Sequence, residues 1–594
     1  MFVKATKQKN GRINLSFVEG YRDPKTKKTR HKVVENLGYV DEYMDIYEDP
    51  KEHFKQVARN LTEQMQEQKD QQKAEDEIFL GTVSSNEVME EDEDAMRHMG
   101  FLPFSHIYHE FKIDQFLNNR QRSKSMDYSL NDVMQLLVYT RILAPGSKLA
   151  NYREKKRFPR PFNCDWYDLY RALDYFEEYK EALLLHMHEQ VRINYSRKTD
   201  VVFYDITNYY FEIDQEDDFR RKGYCKHNSR KPLVQMGLLL DANAIPITYR
   251  LFKGNTHDSQ TMMPIINETR KEYGLGRMVT VADKGLNSGD NIAFLMVKGD
   301  GFIFSQKIRG ADKEFQEYVF DPSGYEEKHG IVNEADEWDE QRDPSERAAF
   351  FMKSRPYPQQ FMVTHSDDVK RKIPLDVKQI VCYNEVYARR QRHIRAEIIE
   401  KANKIIAHPK RYDKKAAKGA LRYVNDIEYD KETGECITAG HMPYLDEDKI
   451  AEDEKFDGYY SIITSEVDMP DREAVKAYHE LWKIENSFKI TKSDLESRPV
   501  YVSLETRIEG HFLTCFISLL FLRLLSKKLD GKYVPEQLIK SLKKYKACFI
   551  KDNIYRQTYY DKVIKDIGEV LDMQLNKKFL KQADIRSLIA QTKK

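Results

Sequence analysis

The chain has 594 residues, 97 Lys and Arg against 97 Asp and Glu, and a formal net charge of zero. Its length predicts roughly three to five domains with ample core, and an aromatic content of 12% excludes global disorder. The six cysteines form no CxxC pair, which argues against a zinc ribbon or a disulfide scaffold and for a reducing compartment.

The N-terminus MFVKATKQKN lacks the apolar stretch of a signal peptide. The longest apolar run, near Phe512–Leu522, is too short for a bilayer and predicts a buried helix. The expectation is a cytoplasmic protein without membrane contact. Neutrality as a whole speaks against a nucleic-acid partner, but the charge is unevenly spread. Lys and Arg outnumber Asp and Glu ten to three in residues 1–40, twelve to four in 385–425 and seventeen to eight in 526–594. Residues 41–100 reverse this, with six against eighteen.

In chain order, residues 1–48 alternate apolar and polar around Asn10-Gly11 and predict a β-hairpin or three-stranded unit. Residues 49–99 predict a helix and an acidic linker ending in EVMEEDEDA. Residues 100–196 predict short helices, one opened by Ser129 with Asp132 and closed by Pro145-Gly146, and are the expected DNA-binding domain. Residues 197–307 read as three strands (VVFYDIT, Leu233–Asp241, Ile245–Lys253), then helix, strand, helix, strand. Residues 308–452 break this rhythm with short strand-like runs and a basic helical stretch. Residues 453–526 add a strand, GYYSIITS, a long helix over Asp471–Lys492 and apolar helices. Residues 527–594 predict a basic helical region.

Asp205 and Asp283 each end a predicted buried strand. A carboxylate there is costly to desolvate unless it is paired or bound to a cation. These are strands one and four of the β-β-β-α-β-α-β unit. In an RNase H-like sheet those strands are neighbours, so both acids can share hard divalent cations. A third acid should come from a helix packed on the sheet. Glu485 sits among Tyr478, Leu481, Trp482, Phe488 and Lys492 at helical spacing, an acid on an otherwise apolar face, with Lys489 or Lys492 as the alternative ion-pair partner.

YDIT around Asp205, VADKG around Asp283, and Tyr478, Glu485 and Lys492 at seven-residue steps resemble the signature of DDE transposases of bacterial insertion sequences. The similar subgroup carries a β-rich insertion between the second Asp and the Glu. The spacings of 78 and then 202 residues leave room for it at about 308–450. GYCKHNSRKP, GNTHD, ENLGYVDE and the stretch Arg498–Leu520 are similar as well. Leu481 stands where that family usually has an Arg, and Lys483 faces another side of the helix. Some relatives stack an insertion-domain Trp on a base; Trp338, in EADEWDEQ, is a poor setting for that. Trp166 and Trp482 read as packing residues.

The resemblance implies an α/β multidomain protein: an RNase H-like mixed-sheet catalytic core interrupted by a β-rich and helical insertion, with helical N- and C-terminal regions. It implies that Asp205, Asp283 and Glu485 hold two Mg2+ ions, with Mn2+ able to substitute, for phosphodiester hydrolysis followed by transesterification. Tyr478, Lys489 and Lys492 would contact phosphates near the scissile bond. Arg389, Arg390, Arg392, Arg395, Lys410, Arg411, Lys414, Lys415, Lys418 and Arg422 would track the DNA backbone without reading sequence. The implied partner is double-stranded DNA, both the inverted-repeat ends and the target, bound by a homodimer at the nucleoid. Two alternatives remain: a metal-dependent nuclease without strand transfer, and a non-catalytic DNA-binding protein derived from a transposase. A zinc enzyme is disfavoured, because the sixteen His show no HxxxH or HxH pair beyond His186 and His188.

Overall fold

The computed structural model describes residues 1–22, 29–80, 88, 91, 93–223, 231–327, 350–411, 417, 419–429, 436–437, 443–551 and 553–594. The chain divides into two units, one of Met1–Asp94 with Ile550–Asp552, the other of the remainder.

In the first unit, strands β1 (Phe2–Lys7), β2 (Ile13–Arg22) and β3 (Thr29–Tyr39) form an antiparallel sheet in that order. The turn between β1 and β2 uses Gly11 at φ +81°, the left-handed conformation that costs glycine least. Helix α1 (Pro50–Leu80) packs on β1, and Phe54 meets Phe17 edge-on.

The second unit opens with strand β4 (Met96–His98) and helices α2 (Leu102–Glu110), α3 (Ile113–Gln121), α4 (Leu130–Leu143), α5 (Lys148–Glu154), α6 (Trp166–Glu178) and α7 (Lys180–Tyr195). Ser129 caps α4 by accepting from the Asp132 N–H at 3.1 Å, and Ser147 caps α5 through Ala150. The expected alternation follows: β5 (Val201–Tyr210), β6 (Leu233–Asp241), β7 (Pro246–Lys253), α8 (Met262–Tyr273), β8 (Val279–Ala282), α9 (Gly289–Val297) and β9 (Gly301–Gln306).

Helix α10 (Lys313–Phe320), strands β10 (Glu326–Glu327), β11 (Phe350–Thr364) and β12 (Lys370–Asn384), and helix α11 (Glu385–Ala407) come next. Four two-residue strands form two small pairs, β13 (Val424–Asn425) with β16 (Tyr444–Leu445) and β14 (Glu428–Tyr429) with β15 (Cys436–Ile437). Helix α12 (Glu447–Glu454) leads to β17 (Tyr459–Thr464), α13 (Asp471–His479), α14 (Trp482–Lys489) and α15 (Glu505–Lys528). The chain closes with α16 (Pro535–Lys544), β18 (Lys546–Lys551), β19 (Ile554–Gln557), α17 (Lys562–Val570), β20 (Phe579–Lys581) and α18 (Gln582–Gln591).

One nine-stranded mixed sheet organises this unit, in the order β10-β11-β12-β17-β9-β8-β5-β6-β7. Strands β5, β8 and β9 run parallel, and β6 and β7 antiparallel. Every residue of β6 is buried, as in a sheet covered on both faces. One face meets a core that includes α4, α6 and α15; the other meets α8 and α9. The long strands of the insertion extend this same sheet.

Two helical expectations change. The C-terminal region carries β18, β19 and β20, which with β4 form a four-stranded sheet. The helix expected over Asp471–Lys492 is interrupted: a tight turn at Glu480–Leu481 separates α13 from α14, and Ile490–Asp494 widens into a π turn. Helix α15 runs well beyond the apolar run seen in the sequence. It is long and apolar enough to cross a membrane, and it lies almost wholly buried inside the protein.

Candidate functional site

The parallel ladder between β5 and β8 pairs Val201 with Val279, Val202 with Thr280 and Phe203 with Val281. Asp205 and Asp283 each lie two residues beyond the last of these pairs, on neighbouring strands about 4.8 Å apart. Asp283 follows the end of β8 as expected, but Asp205 lies inside β5, which runs on to Tyr210 along β6 and so does not end at that acid. Side chains alternate along a strand, so Phe203, Asp205, Thr207 and Tyr209 share one face of β5.

Helix α14 and its π turn lie across that face. The Lys483 ammonium is 5.5 Å from the Phe203 ring centre, and the Thr491 hydroxyl is 2.9 Å from that of Tyr209. Lys492 donates to Thr207 Oγ1. Glu485 thus stands between contacts that straddle Asp205 along the strand. Its side chain is exposed and makes no hydrogen bond or ion pair to a described residue. This corrects the apolar-face expectation: Ile484, Ser487 and Phe488 take the buried face, and Glu485 is left at the open edge.

Tyr478 stands on α13, ahead of Glu485. Burial pushes its phenol up to about 12, with the charges of Asp283, Tyr387 and Glu485 adding and a hydrogen bond with Ser305 opposing, so it stays protonated at neutral pH. Arg523, on α15, was not flagged by sequence. Its guanidinium donates to the Lys483 carbonyl at 3.1 Å, to Asn486 Oδ1 at 2.9 Å and to Ser487 Oγ at 2.7 Å. It braces α14 on the side away from Glu485. Burial lowers it to about 10, so it remains charged.

Among the described residues no group of three or more His, Cys, Asp and Glu is gathered closely enough to hold a metal ion. A Mg2+ site built from one or two carboxylates completed by water and substrate phosphate needs no such cage. The neighbouring pair Asp205 and Asp283 offers only hard oxygen donors, which suits that ion.

The other expected DNA contacts are dispersed. Lys489 pairs with Glu536 at 2.8 Å. On α11, Arg389 and Arg392 both lean on Glu385, at 3.2 and 2.8 Å, while Arg390 is exposed. Arg395 is buried in a fork with Asp457, one bond of 2.7 Å, so it is unavailable to DNA as it stands. Arg411 is exposed, and Arg422 lies 3.9 Å from Asp453. Lys414, Lys415, Lys418, Trp338 and most of GYCKHNSRKP fall outside the described residues, as does the side chain of Lys410. Trp166 and Trp482, expected to pack, are 40% and 44% exposed.

Residues 197–521 match the transposase DDE domain, which covers more than half of the chain. The protein belongs to the DDE transposases. Residues 3–75 match the N-terminal domain of the IS1634 family of transposases, which makes it a transposase of an insertion sequence. A cryo-EM structure of a piggyBac transposase synaptic complex with hairpin DNA overlaps 74% of this chain and 79% of its own, at 10% identity and a TM-score of 0.35. No curated protein matches the chain.

Proposed function

We propose that this transposase cuts and joins the ends of its element on an RNase H-like core, with Asp205, Asp283 and Glu485 as its catalytic carboxylates. The strand order β7-β6-β5-β8-β9, with β5, β8 and β9 parallel, supports that core. The observation that carries the reading is the register: both Asp residues extend the β5–β8 ladder by the same two residues, under the helix that bears Glu485.

The three carboxylates would hold two Mg2+ ions, or Mn2+ in their place, and such ions supply an activated oxygen nucleophile and a stabilised leaving oxygen. The chain's own groups then bind and orient DNA. Lys492, fixed by Thr207, offers its charge to a phosphate beside the scissile bond. Tyr478 donates its retained proton to another. Lys489, Arg389, Arg390, Lys410, Arg411, Lys414 and Lys415 add sequence-blind backbone contacts. Residues 100–196 serve end recognition. A homodimer on DNA fits the need to cut paired ends together.

Asp205→Asn is the test. Mg2+-dependent cleavage of labelled end DNA should fall by more than the roughly 10–100-fold that loss of an outer-shell partner costs. Cleavage at the wild-type rate would remove Asp205 from the reaction. Joining of cleaved ends to a target plasmid separates transposition from simple nuclease action.

A further inference from the structure

Beside the carboxylates opens a cleft of about 450 Å³, between the loop after β9, helix α11 and the start of β17. Lys284, next to Asp283, and Lys307, just past the end of β9, stand on its wall. Because Lys284 follows Asp283 directly in the chain, the cleft opens beside that acid.

Five cations face the cleft against two carboxylates. Both acids are already engaged. Asp457 binds Arg395, and Asp453 takes Arg309 at 3.1 Å and the Tyr423 hydroxyl at 2.8 Å. Lys284 and Lys307 are exposed and make no ion pair with a described residue. Two unmatched ammonium groups in one cleft call for an anion. Tyr387, Tyr459 and Tyr460 supply aromatic surface between them. Cations that track a backbone, with aromatic rings between, are what a single nucleic-acid strand requires.

We infer that this cleft takes the single DNA strand leaving the carboxylates, with Lys284 and Lys307 each on one backbone phosphate. The inference rests on the transposase reading of the neighbouring site.

The test is the full-length Lys284→Ala/Lys307→Ala protein, titrated with a labelled single-stranded DNA and with the duplex of the same sequence over a range of salt. Loss of two phosphate contacts should make the single-strand salt slope shallower by about 1.4, at roughly 0.7 per phosphate. The duplex slope should stay as in wild type, and Lys284→Arg/Lys307→Arg should restore the single-strand value. An unchanged single-strand slope, or a change confined to duplex, overturns the inference. Failure of the catalytic reading looks different: Asp205→Asn then cleaves like wild type while the alanine variant still shows the altered single-strand slope.

Discussion

Lys148 is a cation in an interior position. Its side chain is 3% exposed, and its ammonium donates to His511 Nδ1 at 3.0 Å. His511 in turn donates from Nε2 to the Ser497 carbonyl at 2.9 Å, which fixes the neutral tautomer. Burial, with Arg141 adding, lowers Lys148 to about 7. An unfolded Lys titrates near 10.4. Between these values the unfolded chain binds the extra proton, so stability rises as pH climbs from about 7 towards 10 and is lost on the way back down. Wild-type protein should therefore gain in urea midpoint over that range relative to Lys148→Met; parallel pH curves would sink the assignment. At this scale the neighbouring placement of Asp205 and Asp283 was legible, because each follows an apolar-rich run, although Asp205 falls inside its strand and not at its end. Arg523 was not: its partners at 483, 486 and 487 lie 36–40 residues away, and one is a backbone carbonyl that carries no sequence signal.

Elements of the core sheet were read almost residue by residue, since buried strands leave uniform apolar runs bounded by Asp, Gly and Pro. The break at Glu480–Leu481 escaped notice because all its residues are acceptable in a helix, and tertiary bonds to Lys483 decide it. The hairpin of β18 and β19 was missed although Asn553, at φ +62°, is a typical left-handed turn residue; the Lys-rich flanks masked the alternation. Helix α15 shows how closely these elements approach. A Cβ on Gly510 would fall 2.3 Å from the Leu173 carbonyl oxygen of α6. Gly510→Ala should cost about 1–3 kcal/mol in urea denaturation, the usual penalty of overpacking. Gly276→Ala, with open space around it, should stay within about 0.5 kcal/mol. Equal midpoints for the two variants would contradict the close contact.

For the molecule as a whole, the balance of 97 against 97 conceals an acidic stretch before Ala95 and basic blocks elsewhere. Removing all of 41–100 would be a poor probe, because Met96–His98 is a strand of the C-terminal sheet. Exchanging Glu87, Glu90, Glu91, Asp92, Glu93 and Asp94 for their amides leaves that strand alone. Non-specific duplex affinity at low salt should then rise, and the gain should vanish as salt screens it. Unchanged or weaker binding would count against the opposing-block account. The domain architecture was only partly legible. Where the insertion begins shows in the loss of rhythm after Gln306, but that its strands would join the core sheet depends on pairing across distance, which no local pattern encodes.

The pairing of β4 with β18 also sets a clock. Cys548 lies opposite Met96 and Lys546 opposite His98, so the strand's partner is made some 450 residues later. At about 5–20 residues per second of synthesis, Met96–His98 waits roughly 20–90 s on the ribosome before its sheet can close. A nascent chain can already hold Asp205, Asp283 and Glu485 while the edge of the β4 sheet is still open, so that sheet closes only after the catalytic core has been made.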